Sequence, residues 1–149
     1  MKRSALIFIL FLSLIACKKS DSGNDSGNIN SFTVNGSRYI IKESYQSSIE
    51  FYGKDSFNNY ARVTFPGSSP AEKDYDIVES GSNLIDNQVV ITFSRNNLRF
   101  YSTGRPAAKL TLSRPDGKLN VTCPDIWLKS NTGQNDDSVK FSCNITQTR

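Results

Sequence analysis

The chain has 149 residues, 37% of them apolar, and its 18 lysines and arginines outnumber its 14 aspartates and glutamates. This length predicts a single domain. Histidine is absent from the sequence, which excludes Ser-His-Asp and Cys-His catalysis, imidazole metal ligands and imidazole pH switches. No other motif specifies a reaction, so we expect no enzyme, no cofactor and no metal site.

An apolar run follows a positively charged start at the N-terminus. Lys2 and Arg3 precede residues 5–16, in which Ser13 is the one polar side chain. A helix of that length rises about 18 Å, which is too short for a hydrocarbon core of about 30 Å. Residues 1–16 are therefore predicted to be a secretory signal peptide and not a transmembrane helix.

The apolar run ends in Leu-Ile-Ala-Cys at 14–17, which resembles the bacterial lipoprotein box. In such boxes the cysteine thiol accepts a diacylglyceryl group, and the small residue before it lets the signal peptidase reach the bond. We therefore predict lipidation at Cys17, with two or three acyl chains holding the protein on a membrane. Removal of Lys2 and Arg3 lowers the formal net charge from +4 to +2, so the charge gives little support to a nucleic-acid ligand, and none is expected.

A polar segment separates Cys17 from the rest of the chain. The unit Asp-Ser-Gly-Asn occurs twice, at 21–24 and 25–28, and no apolar residue follows Cys17 until Ile29. Such a composition does not bury enough apolar surface to become ordered. Residues 17–30 are therefore predicted to be the lipidated cysteine and a flexible tether.

Residues 31–149 consist of short alternating segments, with turn signals roughly every 8–12 residues. This pattern predicts one all-β domain, an antiparallel β-sandwich or barrel of about eight to ten strands. The predicted strands are 32–34, 39–41, 44–52, 59–65, 74–79, 88–95, 98–103, 109–114, 118–123 with an extension at 126–128, and 139–145.

Two turns give the strongest hairpin signals. Asn35-Gly36 lies between two apolar runs, and asparagine and glycine both accept the positive φ that a two-residue hairpin turn requires. Asn96-Asn97 lies between two longer alternating strands. A two-residue loop there predicts three cross-strand pairs, which are Phe93 with Phe100, Thr92 with Tyr101, and Ser94 with Arg99.

Cys123 and Cys143 remain after Cys17 is assigned to lipid, and an even pair in an exported protein favours a disulfide. A hairpin that pivots at Gly133 places the two cysteines opposite each other, within disulfide reach. Pro124 has no backbone N–H for a ladder, so a bulge or a sheet edge is expected beside Cys123.

The candidate ligand-binding residues are Arg99, Tyr101, Arg105 and Lys109. Alternation places Arg99 and Tyr101 on the polar face of the second hairpin, where a guanidinium and a phenol ring can hold a sugar or an anionic group. Arg105 and Lys109 follow the next turn and add charge. The alternative is that all four residues only cover a solvated sheet surface and protect its edge.

Other aromatic side chains could also stack on sugar rings. They are Trp127, Tyr45, Tyr52 and Tyr60. Packing in the core or between sheets is the expectation for this group, and an exposed aromatic platform is the alternative.

The layout resembles the small envelope lipoproteins of Bacteroidetes-type bacteria. The resemblance rests on Ala-Cys-Lys-Lys at 16–19, on Phe-Thr-Val-Asn-Gly-x-x-Tyr at 32–39 and on Asp-Gly-Lys-Leu at 116–119. It implies an all-β domain on the outer membrane, facing the periplasm or the cell surface, and it brings no catalytic residues. Lys18-Lys19 in place of an aspartate departs from the inner-membrane retention signal, which also favours the outer membrane.

These observations predict a lipid-anchored, non-catalytic binding module for a glycan, a lipophile or a protein of the envelope. The alternative is a structural or assembly accessory, or an inhibitor of another enzyme, without a small-molecule ligand. An exposed aromatic groove or an interior cavity would favour the binding module.

Overall fold

The computed structural model describes residues 30–130 and 137–149, so the predicted signal peptide, Cys17 and nearly all of the tether lie outside the described residues. The described part contains eleven β-strands, one 3-10 turn at Pro115–Gly117 and no α-helix, which confirms the all-β prediction. None of its helical segments is long and apolar enough to cross a membrane. The strands are β1 (Ser31–Val34), β2 (Ser37–Ile40), β3 (Glu43–Ser47), β4 (Glu50–Lys54), β5 (Tyr60–Thr64), β6 (Lys73–Ile77), β7 (Gln88–Arg95), β8 (Leu98–Ser102), β9 (Lys109–Ser113), β10 (Asn120–Ser130) and β11 (Ser138–Thr146).

The strand number exceeds the predicted eight to ten because the segment predicted as one strand over 44–52 is a hairpin. Strands β3 and β4 pair antiparallel, with Ser47 opposite Glu50, and Ser48 takes a φ of 53° in the turn between them. Serine is an uncommon residue at positive φ, so the sequence lacked the asparagine or glycine that marks such a turn.

The two hairpins predicted from turn chemistry are confirmed. Asn35 and Gly36 join β1 to β2 with φ values of 50° and 81°, and Asn96 and Asn97 join β7 to β8 with 50° and 65°. Both turns place two successive residues in the left-handed region, as a two-residue loop between right-twisted strands requires. The second hairpin has all three predicted cross-strand pairs.

The strands form one sheet that closes on itself through five of its members. Strand β7 pairs with β8 and β6, β8 pairs with β10, and β9 joins β10 to β6. The six other strands extend this barrel from two sides, in the order β11-β1-β2 outward from β10 and β5-β4-β3 outward from β7. The β6–β7 pair is parallel and all other pairs are antiparallel.

Aromatic rings from the β1–β11 extension meet rings of the barrel strands β7 and β8 in the core. Phe32 of β1 lies 5.5 Å from Phe93 of β7, and Phe93 lies 6.0 Å from both Phe141 of β11 and Phe100 of β8, measured between ring centres. The rings of Phe32, Phe93 and Phe141 are fully buried. This cluster fastens the β1–β11 side of the sheet to the β7–β8 hairpin.

The predicted register of β10 and β11 is confirmed, including a bulge at Pro124. Cys123 lies directly opposite Cys143, and the register shifts by one residue between Cys123 and Ile126. Both cysteines are buried and are present as free thiols. The disulfide itself stays a prediction, and the direct opposition of the two residues in the ladder is compatible with it.

Candidate functional site

A row of polar and aromatic side chains crosses the outer surface of the sheet. Strand alternation turns the core residues of β4, β5 and β7 inward, and it turns their neighbours outward. The register aligns the outward residues of six strands. From β3 to β10 the row is Tyr45, Tyr52, Arg62, Thr92, Tyr101 and Lys129. Thr92 in the middle of the row is buried beneath its neighbours. Measured along the curved sheet, the five strand spacings amount to about 24 Å.

A second row runs beside the first, and it contains the predicted residue Arg99. Tyr60 lies opposite Ser94, and Ser94 lies opposite Arg99. Arg99 is exposed, whereas Ser94 beneath it is buried. We call the outer surface made by Tyr45, Tyr52, Tyr60, Arg62, Arg99 and Tyr101 the tyrosine face.

Arg99 lies on the same face of the sheet as Tyr101 and Tyr60. Interactions with these two tyrosines, first with the Tyr101 side chain and then with Tyr60, raise the pKa of the Arg99 guanidinium. Arg99 is therefore an exposed cation beside two phenol side chains. Alternation on β8 places Arg99 and Tyr101 on one face, as predicted. The position of Tyr60 beside them, on β5, was not predicted, because no local pattern indicates that β5 pairs with β7.

The other end of the tyrosine face is held by an ion pair. Arg62 contacts Glu50 at 2.9 Å and donates a hydrogen bond of 3.4 Å to Thr92. Tyr52 donates a hydrogen bond to Glu50, and partial burial followed by this bond raises the pKa of the Tyr52 hydroxyl. Tyr45 stacks on Tyr52 with ring centres 5.2 Å apart. The Glu50 carboxylate is thus paired with Arg62 and hydrogen-bonded by Tyr52.

A depression of about 510 Å³ adjoins Tyr101. Lys129, Thr103 and Glu79 are among the residues that line it. An isolated antiparallel bridge joins Glu79 to Thr103. Its floor is fixed by Ser102, whose hydroxyl donates to the Val78 carbonyl at 2.6 Å and accepts from the Ile91 amide at 3.2 Å. One acidic and one basic side chain therefore stand beside the Tyr101 ring, over a rigid polar floor.

The other two predicted residues lie away from the Arg99–Tyr101 pair. Lys109 lies on β9 opposite Asp76, with 3.9 Å between its ammonium nitrogen and the carboxylate. Arg105 lies in the connection after β8, and its backbone exchanges hydrogen bonds with the Thr103 hydroxyl at 3.0 and 3.3 Å. Arg105 is thus adjacent to the depression, and Lys109 belongs to the β6–β9 part of the barrel.

The expectation that the aromatic group packs in the core is wrong. Trp127 is 48% exposed, because Ile126 and Leu128 on either side of it point inward. Tyr45, Tyr52 and Tyr60 are half-buried on the outer surface. The sequence did contain a signal for this outcome. Phe51 and Ala61 are apolar strand residues that face the core, so strand alternation requires Tyr52 and Tyr60 beside them to face outward.

The described residues contain no group of three or more histidine, cysteine, aspartate or glutamate side chains able to hold a metal ion. No protein-family model matches the chain, and no curated protein or solved structure is detectably similar to it.

Proposed function

We propose that the chain is a lipid-anchored protein of the cell envelope whose β-domain is a non-catalytic carbohydrate-binding module. The tyrosine face is the proposed binding surface. The observation that carries this proposal is the row of tyrosines that leads to the exposed Arg99, which shares its face with Tyr101 and Tyr60.

The side chains of the tyrosine face match the chemistry of sugars. Each tyrosine combines apolar ring surface, which packs on the C–H groups of a sugar, with a hydroxyl that can donate or accept. Arg99 adds a planar fork of donors that suits a carboxylate or a pair of sugar oxygens. A row of about 24 Å favours a linear oligosaccharide over a single sugar.

The same surface is poorly equipped for hydrolysis. A glycosidase needs two carboxyl groups that face each other across the scissile bond. Glu50 is paired with Arg62 and Tyr52, and Glu79 lies on the far side of Tyr101, in the depression. Glu79 is the one carboxylate among the described residues that line this depression, which supports binding without catalysis.

The first test of the site is the double substitution Arg99→Ala with Tyr101→Ala in the mature chain. Loss of a charge-assisted hydrogen bond and of one ring contact should cost about 2 kcal/mol, or roughly thirtyfold in affinity. The measurement is titration calorimetry with neutral and uronic-acid-containing oligosaccharides, from monosaccharides to hexasaccharides.

The control is Lys109→Ala with Thr111→Ala, two exposed residues on β9. This variant should bind as the unmodified chain does. If instead the β9 variant binds weakly and the β8 variant binds normally, the site lies on the β6–β9 surface and the tyrosine face is eliminated.

Anchoring is tested separately by Cys17→Ser in the producing cell. Without the thiol no diacylglyceryl group can be added, so the protein should remain unprocessed or move from the membrane to the soluble fraction. Mass spectrometry of the N-terminal peptide and fractionation report the outcome. A correctly processed variant that still sediments with membranes would show that lipid at Cys17 is not the anchor.

A further inference from the structure

Three exposed apolar side chains lie at strand ends and at a loop tip, and two of them line one cavity. Phe57 stands at the tip of the β4–β5 loop and is 80% exposed. Ile40 at the end of β2 is 47% exposed, and it lines a cavity of about 420 Å³ together with Phe57. Leu98 beside the Asn96-Asn97 turn is 44% exposed. Neighbouring exposed apolar groups indicate a contact surface.

The Phe57 loop is held rigid from below. The buried carboxylate of Asp55 accepts hydrogen bonds from the amides of Phe57 and Asn59, at 2.8 and 2.9 Å, and from the Asn59 side chain at 2.7 Å. The Asp55 amide in turn donates to the Asn59 carbonyl at 3.0 Å. Phe57 is thus presented to solvent on a closed, cross-bonded loop, which lowers the entropy lost when the ring is buried against a partner.

Positive charge surrounds these apolar side chains. Arg38 and Lys42 line the same cavity as Phe57 and are exposed. Arg95, the cross-strand partner of Leu98, lies over the Tyr39 ring at 6.0 Å. No ion pair within the described residues involves any of these three cations. Asp55 supplies the carboxylate in the lining of the 420 Å³ cavity, and its oxygens already accept hydrogen bonds from Phe57 and Asn59.

The chain enters the domain beside the same cavity. The Ile41 amide donates to the Asn30 carbonyl at 2.9 Å, and the Asn30 side chain exchanges hydrogen bonds with Thr146 at 2.8 and 3.0 Å. Residue 30 is therefore fixed beside Ile40 and Lys42, and residues 17–29 must leave from that point. We call the surface made by Arg38, Ile40, Lys42 and Phe57 the entry face.

We propose that the entry face docks on the surface of a bilayer that carries anionic headgroups. This inference rests on the proposed lipid at Cys17, which places a membrane next to the entry point. The Phe57 ring and Ile40 insert at the boundary between headgroups and acyl chains, and Arg38 and Lys42 contact anionic headgroups.

The tether makes a weak contact sufficient. Thirteen steps along the chain separate Cys17 from Asn30, so the lipid can lie no more than about 45 Å from the entry point. A flexible segment of that length has an average span of about 20 Å. A surface tethered this closely meets the bilayer at an effective concentration in the millimolar range. Docking at the entry face fixes the orientation of the barrel on the membrane.

The experiment uses the intact lipoprotein in vesicles of phosphatidylcholine with or without phosphatidylglycerol. Phe57→Trp is introduced together with Trp127→Phe, so that one tryptophan reports depth through quenching by brominated lipids. Ile85→Trp with Trp127→Phe is the matched control, because Ile85 is 60% exposed at the opposite end of β7. We expect strong quenching and a blue shift for position 57 in the anionic vesicles, little quenching at position 85, and a weaker signal in phosphatidylcholine alone.

A second arm separates docking from anchoring. The mature chain carrying Cys17→Ser is added to the same anionic vesicles, with and without Phe57→Asp or Ile85→Asp. We expect weak binding that falls at least tenfold with Phe57→Asp and does not change with Ile85→Asp.

Four outcomes are informative. Vesicle-bound lipoprotein with no quenching at position 57 overturns the docking proposal and leaves the anchor intact. Quenching that is equal in the two lipid mixtures overturns the role of Arg38 and Lys42. Equal loss from both aspartate variants overturns the assignment to the entry face. Phe57-dependent binding by the Cys17→Ser chain supports docking, whereas the absence of lipid on Cys17 of the unmodified protein, seen by mass spectrometry, overturns the anchor without overturning docking.

Discussion

Replacing Phe93 with alanine is expected to lower the free energy of unfolding by about 3–5 kcal/mol. The Phe93 ring is fully buried and contacts rings from β1, β8 and β11. Its removal leaves a cavity at the point where two sides of the sheet are fastened together, and strands on every side prevent the site from collapsing. Urea unfolding followed by intrinsic fluorescence measures the change.

Phe57→Ala is the control for this experiment, since it removes the same ring from an exposed loop tip. Its effect on unfolding should stay within about 0.5 kcal/mol. A loss for Phe93→Ala as small as that of Phe57→Ala would mean that the aromatic cluster does not hold the two sides together.

Formation of the Cys123–Cys143 disulfide is expected to raise the free energy of unfolding by about 3 kcal/mol, because it closes a loop of about twenty residues in the unfolded chain. The two cysteines are directly opposed in β10 and β11. Urea unfolding of the mature chain in oxidising and in reducing buffer gives the difference. Thiol titration in denaturant without reductant should find neither of these two thiols in the exported protein.

The reduced pair should react slowly once the domain has folded. A hydrogen bond with Cys143, and then burial, raise the pKa of the Cys123 thiol. The thiol therefore stays protonated at neutral pH, and the thiolate is the reactive form. Labelling of the folded, reduced chain should be far slower than labelling of the unfolded chain and should increase as the pH rises. Two freely titrating thiols in the protein taken from the envelope would refute the disulfide.

Local chemistry was sufficient to identify most of the strands. Asn35-Gly36 and Asn96-Asn97 each permit two residues at positive φ, so both hairpins and the pairs of β7 with β8 followed from sequence. The Cys123–Cys143 register followed from the symmetry of the last hairpin, and Pro124 marked its bulge. The turn at Ser48 was missed, since serine carries no strong preference for the φ of 53° that it adopts there.

Only part of the candidate site could be predicted from the sequence. Arg99 and Tyr101 belong to one strand, and the period of two places them on one face whatever the fold. Tyr60, on β5, reaches Arg99 because β7 pairs with β5 on one edge and with β8 on the other. Lys109 is close to Arg99 in sequence, but the pairing of β9 with β6 carries it to another part of the barrel.

The sequence by itself determined the strands, their inward and outward residues and the local hairpins, because these depend on the backbone preferences of neighbouring residues. Only the tertiary structure decided which strands lie side by side. That choice assembled the tyrosine face from β3, β4, β5 and β8, and it brought Phe57 next to Ile40 at the entry point of the chain. The physical reason is that strand order is set by burial of the whole core, including the contacts of Phe32, Phe93 and Phe141, and no short stretch of sequence contains that information.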